Sequence, residues 1–425
     1  MNVTTVHRIL DVAEATALVR ALPTVLEGAG PRLAYETAWV KPGRYFNVAY
    51  RIENEQQPSR SGEADPPSIV SLCIVDRAMA DKATRRQRTH QRSAGRGGCA
   101  HCATVLAAPD VLVQLFPYDY RLPRLADCAS VETVAGVSGG RHAFDRCEVM
   151  AYRPGMRCQL RYDVAGLARA YGKISVERES GRRARVHGEL HAALEKRAGL
   201  LRVPAPLGSI HDLGLDLVAA ASGENLYDRM AGNSDEGLVL RAIDGLAELH
   251  QYAPAPADRI HDADDELALV DDWVSWMAGV EPPMADRLWR AHTLLAQSMP
   301  TASNARAGFA HRDFYDKQLL ADGEILWLLD VDTACSGDRE LDAGNFLAHL
   351  FLRGVQWNRS AVHRRLEDEA WRAYRSRAGA AGADVSSDLA RWYRRAALVR
   401  LACTYALRPP WRHLAPALLE EAVTP

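Results

Sequence analysis

The run from His311 to Asp332, HRDFYDKQLLADGEILWLLDVD, constrains this chain more than any other stretch. His311 and Asp313 open it, and an amide, Gln318, follows five positions after the aspartate. The apolar residues Ile325 to Leu329 read as a strand, which ends in a second acidic pair, Asp330 and Asp332. A fold that carries this run has to hold a polar loop rigidly beside a short strand. Phosphoryl transfer from ATP needs parts of this kind. One carboxylate orients the acceptor hydroxyl and takes its proton late, while an amide and a second carboxylate hold magnesium through hard oxygen atoms.

The upstream chain supplies candidate partners. Cys147 to Val164 reads as two strands around a Pro154-Gly155 turn, with Cys158, Leu160 and Tyr162 on one half-buried face. Ala170 to Val176 reads as a third strand carrying Lys173. Arg182 to Arg197 has helical spacing, with Val186, Leu190, Ala193 and Leu194 on one face and Glu189 in the same helix. A strand lysine followed by a helix glutamate suits a pair that orients the α- and β-phosphates. The competing assignment is an ordinary strand lysine and a solvated glutamate, with Glu177 and Glu195 as other partners for Lys173. There is no G-x-G-x-x-G, so Gly155 takes the phosphate-covering turn by position alone.

These motifs resemble the aminoglycoside phosphotransferase and choline kinase family, small-molecule relatives of protein kinases. The resemblance implies an α+β, two-lobed protein-kinase-like fold, with a small antiparallel-sheet lobe, a larger helical lobe and an N-terminal extension. The expected divisions are 1–135, 145–220 and 221–425. The resemblance makes Asp313 the catalytic residue, assigns Lys173, Glu189 and Gly155 to the nucleotide, and gives magnesium to Gln318 and Asp330. Asp332 is a second metal ligand or a structural carboxylate. His311, Asp342 and His250 are expected to brace the loop or pack, and Arg312 to face solvent. Most of the family has asparagine where Gln318 stands; bacterial maltokinases and glucosamine kinases resemble this chain in having glutamine. The implied reaction moves the ATP γ-phosphate to a hydroxyl of a small molecule: an aminoglycoside, a sugar or an amino alcohol. The alternative is a catalytically silent kinase-like binding or regulatory protein. A protein kinase fits less well, because no A-P-E segment follows Asp330.

Residues 39–52, WVKPGRYFNVAYRI, align with 151–164, AYRPGMRCQLRYDV, at a constant offset of 112. Either the extension is a duplicated, non-catalytic half-lobe that adds to the small lobe's sheet, or two β-hairpins coincide. The basic stretch 82–98 lacks interleaved aromatic residues, and the formal charge is −2, so no nucleic-acid partner is expected. Cys99 and Cys102 form a lone C-x-x-C, which falls short of the four ligands of a structural zinc site. Residues 8–21 read as an amphipathic helix rather than a secretory signal, and no apolar run reaches the ~18 residues of a membrane span. Eight scattered cysteines then fit a cytoplasmic protein with reduced thiols and no membrane partner. The acidic run Asp262 to Glu266 reads as a helix start rather than a polycation site.

Overall fold

The computed structural model describes residues 3–20, 32–53, 69–83, 85, 104–108, 110–163, 169–175, 177–197, 199–232, 235–300 and 308–424. The Cys99–Cys102 pair and most of the basic stretch lie outside them. Two compact units are present: Met1–Gly181 with Leu207–Ala219, and Arg182–Pro206 with Ala220–Pro425.

The first unit begins with two short helices, α1 (Val3–Leu10) and α2 (Val12–Arg20). Their sequence reads as one helix, but the Asp11 carboxylate accepts the Ala13 and Glu14 amides at 2.9 Å and starts the second. Two five-stranded sheets follow. The first contains β1 (Arg32–Lys41), β2 (Tyr45–Glu53), β3 (Ile69–Ile74), β4 (Thr104–Ala108) and β5 (Val111–Leu115), in the order β1-β2-β3-β5-β4. The second contains β6 (Arg146–Arg153), β7 (Arg157–Asp163), β8 (Ala170–Ser175), β9 (Pro206–Ile210) and β10 (Leu215–Ala219), in the order β6-β7-β8-β10-β9. The N-terminal strands therefore close a sheet of their own instead of extending the second one.

Alternation explains the second sheet. Cys158, Leu160 and Tyr162 on β7 are fully buried, as are Leu215 and Leu217 on β10. Each apolar side chain removed from water contributes about 1.5–3 kcal/mol. Gly172 on β8 is required by close approach, since a Cβ there would stand 2.6 Å from the Tyr162 ring and 2.9 Å from Leu215. Ala49 and Ile69 of the first sheet join Tyr152, Cys158 and Leu160 of the second in one apolar cluster, so the two sheets share a core.

The second unit is mostly helical. Helix α4 belongs to it from Arg182 onward, once α3 (residues 77–83) has been counted in the first unit. α4 spans Glu177–Glu195 and buries Val186, Leu190 and Leu194. α5 (Glu236–Tyr252) is capped by Asp235, and α6 (Ala263–Val280) opens on an Asp262/Asp265 capping box, which is the expected helix start. α7 (Ala285–Gln297), α8 (Arg339–Gln356), α9 (Ser360–Ala380), α10 (Ser387–Ala406) and α11 (Ala415–Val423) complete the unit. α8 is central, with every residue from Glu340 to Gly354 buried. Four short strands carry the polar run: β11 (Gly308–Ala310), β12 (Leu319–Asp322), β13 (Ile325–Leu328) and β14 (Cys335–Gly337). β12 and β13 form an antiparallel hairpin, and β11 pairs antiparallel with β14. Among the described residues no helix is long and apolar enough to cross a membrane.

Candidate active site

The chain leaves β11 at His311, whose side chain is fully buried. His311 Nδ1 accepts the Asp313 amide at 3.3 Å, and Nε2 donates to the Leu329 carbonyl at 3.2 Å. This arrangement sets the tautomer and ties the loop to the end of β13. Arg312 adopts φ 67°, a left-handed conformation that costs a non-glycine residue about 1–2 kcal/mol. Asp342 offsets that cost. Its carboxylate, fully buried near the start of α8, accepts the His311 and Arg312 amides at 2.7 and 2.6 Å. His250 Nε2 donates to the same carboxylate at 3.0 Å, while its Nδ1 accepts the Tyr374 hydroxyl at 2.7 Å. Helices α5, α8 and α9 are thereby wired to one loop. Charge-assisted bonds to buried amides are among the stronger ones available to a protein.

Asp313, half-buried, takes the Gln318 side-chain nitrogen on Oδ2 at 3.2 Å. With Nε2 engaged, the Gln318 carbonyl oxygen is the end of the amide left to accept, and it is the end an oxygen-seeking cation would use. The Gln318 backbone carbonyl accepts the Leu329 amide at 2.8 Å, so the glutamine sits against the peptide that leads into Asp330. Asp330 has φ 57° and ψ 62°, left-handed again, where β13 gives way to a 3-10 turn over Val331–Thr333. Asp332 lies inside that turn, so the chain is not extended there and side-chain alternation does not aim it with Asp330. Arg183 Nε stands 3.9 Å from Asp332 Oδ1, and a cation at that oxygen would compete with the guanidinium. Arg182 and Arg259 grip the same turn through the Asp332 carbonyl (3.4 and 3.3 Å), and Arg182 also reaches the Ala334 carbonyl at 2.6 Å. Gln318 and Asp330 thus offer the amide and carboxylate oxygens that magnesium favours, and such an ion would neutralise charge on the nucleotide phosphates. Among the described residues no group of three or more His, Cys, Asp or Glu side chains could hold a metal by itself.

Sequence reasoning missed one buried ion pair. Asp316 and Arg353 form a buried bidentate pair at 2.7 and 3.1 Å, locking the loop onto α8. The signal was Arg353 in the run FLAHLFLRGV, where His349 is the one other polar side chain. Arg312 does not face open solvent; it lies half-buried with Glu266 among the charges acting on it. Burial alone would raise the Glu266 carboxyl, but Arg400 at 2.7 Å and His261 at 2.8 Å outweigh it and hold the group at about 2.

The nucleotide candidates sit on other elements. Lys173 lies on β8 directly across from Gln159 of β7 and Asp216 of β10. Glu189 is on the exposed side of α4, and Arg185 Nη1 contacts its two oxygens at 3.1 and 3.2 Å. Gly155, at φ 72° in the β6–β7 turn, gives its amide to Asp119 Oδ2 at 2.5 Å.

The sequence profile of the phosphotransferase enzyme family matches residues 162–395, more than half of the chain, and the chain belongs to that family. Its α+β fold is the protein-kinase-like one of that family. Similar solved structures include a thermostable mutant of aminoglycoside phosphotransferase APH(4)-Ia, at 14% identity and a TM-score of 0.48, covering 69% of this chain and 97% of that one. A choline/ethanolamine kinase family protein from Mesorhizobium loti has 15% identity and a TM-score of 0.45, covering 71% and 94%. The macrolide 2'-phosphotransferase MphH from Brachybacterium faecium has 17% identity and a TM-score of 0.42, covering 69% and 97%. No curated protein sequence matches the chain.

Proposed function

We propose that this protein is an ATP-dependent small-molecule kinase that moves the γ-phosphate to an alcohol hydroxyl. The observation that carries the reading is the Asp313–Gln318 contact at 3.2 Å, which leaves the amide oxygen for a cation beside the acceptor-orienting carboxylate. Asp313 orients the acceptor hydroxyl and receives its proton; Gln318 and Asp330 hold Mg2+; Lys173 and Gly155 serve the nucleotide. Glu189 is assigned to the nucleotide side as well, with Arg185 its present partner. Asp332 braces the 3-10 turn through Arg183 and is the weaker of the proposed metal ligands. The acceptor is a sugar, an aminoglycoside or an amino alcohol, the setting is the cytoplasm, and no nucleic acid takes part. Family membership supports the reaction class.

One observation favours a catalytically silent protein instead: the Gly155 amide, which would face a phosphate, is already given to Asp119. A pool of aminoglycosides, sugars and amino alcohols incubated with MgATP and read by mass spectrometry separates the two. A phosphate ester formed by the wild type and lost in Asp313→Ala, at a cost of about 10²–10⁴ in rate, supports the kinase. Absence of MgATP binding, or an affinity unchanged by Asp330→Ala, supports the silent protein.

A further inference from the structure

The two sheets of the first unit agree beyond their shared strand order. In the first hairpin Lys41 pairs with Tyr45, Val40 with Phe46 and Trp39 with Asn47; in the second Arg153 pairs with Arg157, Tyr152 with Cys158 and Ala151 with Gln159. Each pair is shifted by the same 112 residues that align the sequences. One strand further, Asn47 faces Cys73 where Gln159 faces Lys173. The first sheet thus has a cysteine at the register position of the strand lysine. Cys73 is buried against Ala80 and Ala83 of α3, and burial pushes its thiol up to about 12, so it offers no charge to a phosphate. A half-lobe with this substitution has no phosphate chemistry of its own.

What it does have is a grip on the β6–β7 turn. Asp119, buried in the segment after β5, takes the Gly155 amide at 2.5 Å and the Tyr152 hydroxyl at 2.8 Å on Oδ2. Its Oδ1 takes the Arg121 and Leu122 amides at 2.8 and 3.2 Å, which fixes the carboxylate from behind. Asn47 of β2 donates to the Pro154 carbonyl at 2.6 Å, and the Tyr45 hydroxyl meets Met156 Sδ at 2.9 Å. Arg153 stacks on Trp39 with its guanidinium carbon 4.0 Å from the ring centre. Residues 152 to 156 are therefore each held by the N-terminal half or by the segment that follows it, and a Cβ added at Gly155 would meet Arg121 and Asn47 at 3.3 Å.

We propose that the N-terminal sheet is a duplicated small lobe that has become a brace, with Asp119 and Asn47 as positioning residues that hold the β6–β7 turn in its nucleotide-covering shape. The proposal rests on the kinase reading above. Its test uses the full chain, MgATP as the probe, and the variants Asp119→Asn and Asn47→Ala. Hydrogen exchange at the Gly155 amide is measured beside MgATP affinity. Loss of protection confined to the turn, with MgATP bound about tenfold more weakly and turnover retained at saturating MgATP, is the expected result. A loosened turn with unchanged MgATP affinity overturns the proposal, and so does unchanged protection. Asn47→Ala removes a single bond and remains informative if Asp119→Asn does not fold. Failure of the wild type to bind MgATP would instead defeat the kinase reading and this proposal together.

Discussion

Asp342 controls more of the loop than the residue expected to do the chemistry. It satisfies two consecutive backbone amides and one imidazole, and one of those amides belongs to an arginine in the left-handed conformation. Asp342→Ala leaves these donors without an acceptor and is expected to lower stability by about 3 kcal/mol, read as a shift in the urea midpoint at constant slope. The Asp316–Arg353 pair makes a second case. Arg353→Met strands a buried carboxylate and should cost about 3–5 kcal/mol in the same measurement, whereas changing both residues to apolar ones should restore much of the loss. A loss below about 1 kcal/mol would mean that water reaches Asp316. Asp313, Gln318 and Asp330 could be nominated from the sequence because they stand in one short run, and the structure adds the 3.2 Å contact between Gln318 and Asp313. Asp342 could be placed through the family resemblance, whereas the Arg353 partner of Asp316 could not, since tertiary packing alone decides which distant side chain meets that carboxylate.

At the scale of elements, the C-terminal helices are joined by a network with its own pH signature. Arg394 of α10 donates to Glu367 of α9 at 2.8 Å and to Glu421 of α11 at 2.8 Å, while Arg364 of α9 reaches Glu421 at 2.7 Å. Burial raises the Glu367 carboxyl to about 7 despite Arg394. A folded value above the ordinary 4.5 means that the folded state binds the proton more tightly. Its stabilising contribution is complete below that ordinary value and is lost as pH rises through about 7. Unfolding midpoints at about pH 5 and about pH 8 should therefore fall further in the wild type than in Glu367→Gln. Glu266 has the opposite sign: its folded carboxyl is held at about 2, so its contribution is present above its ordinary 4.5 and lost as pH falls toward 2. Helix starts were readable in advance at Asp262, where an acidic run caps α6. The break at Asp11 was not, because amphipathic periodicity persists across a two-helix junction and only the side chain's own hydrogen bonds reveal it.

For the whole molecule, the shared core of the two sheets sets the smallest piece that can fold. Ala49, Ile69, Leu122, Leu125 and Cys128 pack with Tyr152, Cys158 and Leu160. Removing residues 1–140 would bare that face, and the remainder is expected to aggregate rather than unfold cooperatively, as light scattering during a thermal ramp would show. A soluble truncated chain with full MgATP affinity would make the first sheet an appendage. Offset and turn residues made the repeated hairpin visible in the sequence. The strand pairings β3-β5 and β8-β10 were not visible, because they join segments separated by a helix or by residues without periodicity.

The hold on Gly155 has a thermodynamic consequence. A glycine-rich loop wraps phosphates by being free beforehand, so it gives up conformational entropy each time a nucleotide arrives. A turn fixed by a carboxylate and an amide side chain has given up that entropy once, during folding. In this chain, nucleotide capture would accordingly carry a smaller entropic penalty and a weaker dependence on loop motion. A relative lacking the first sheet would meet the penalty at every encounter.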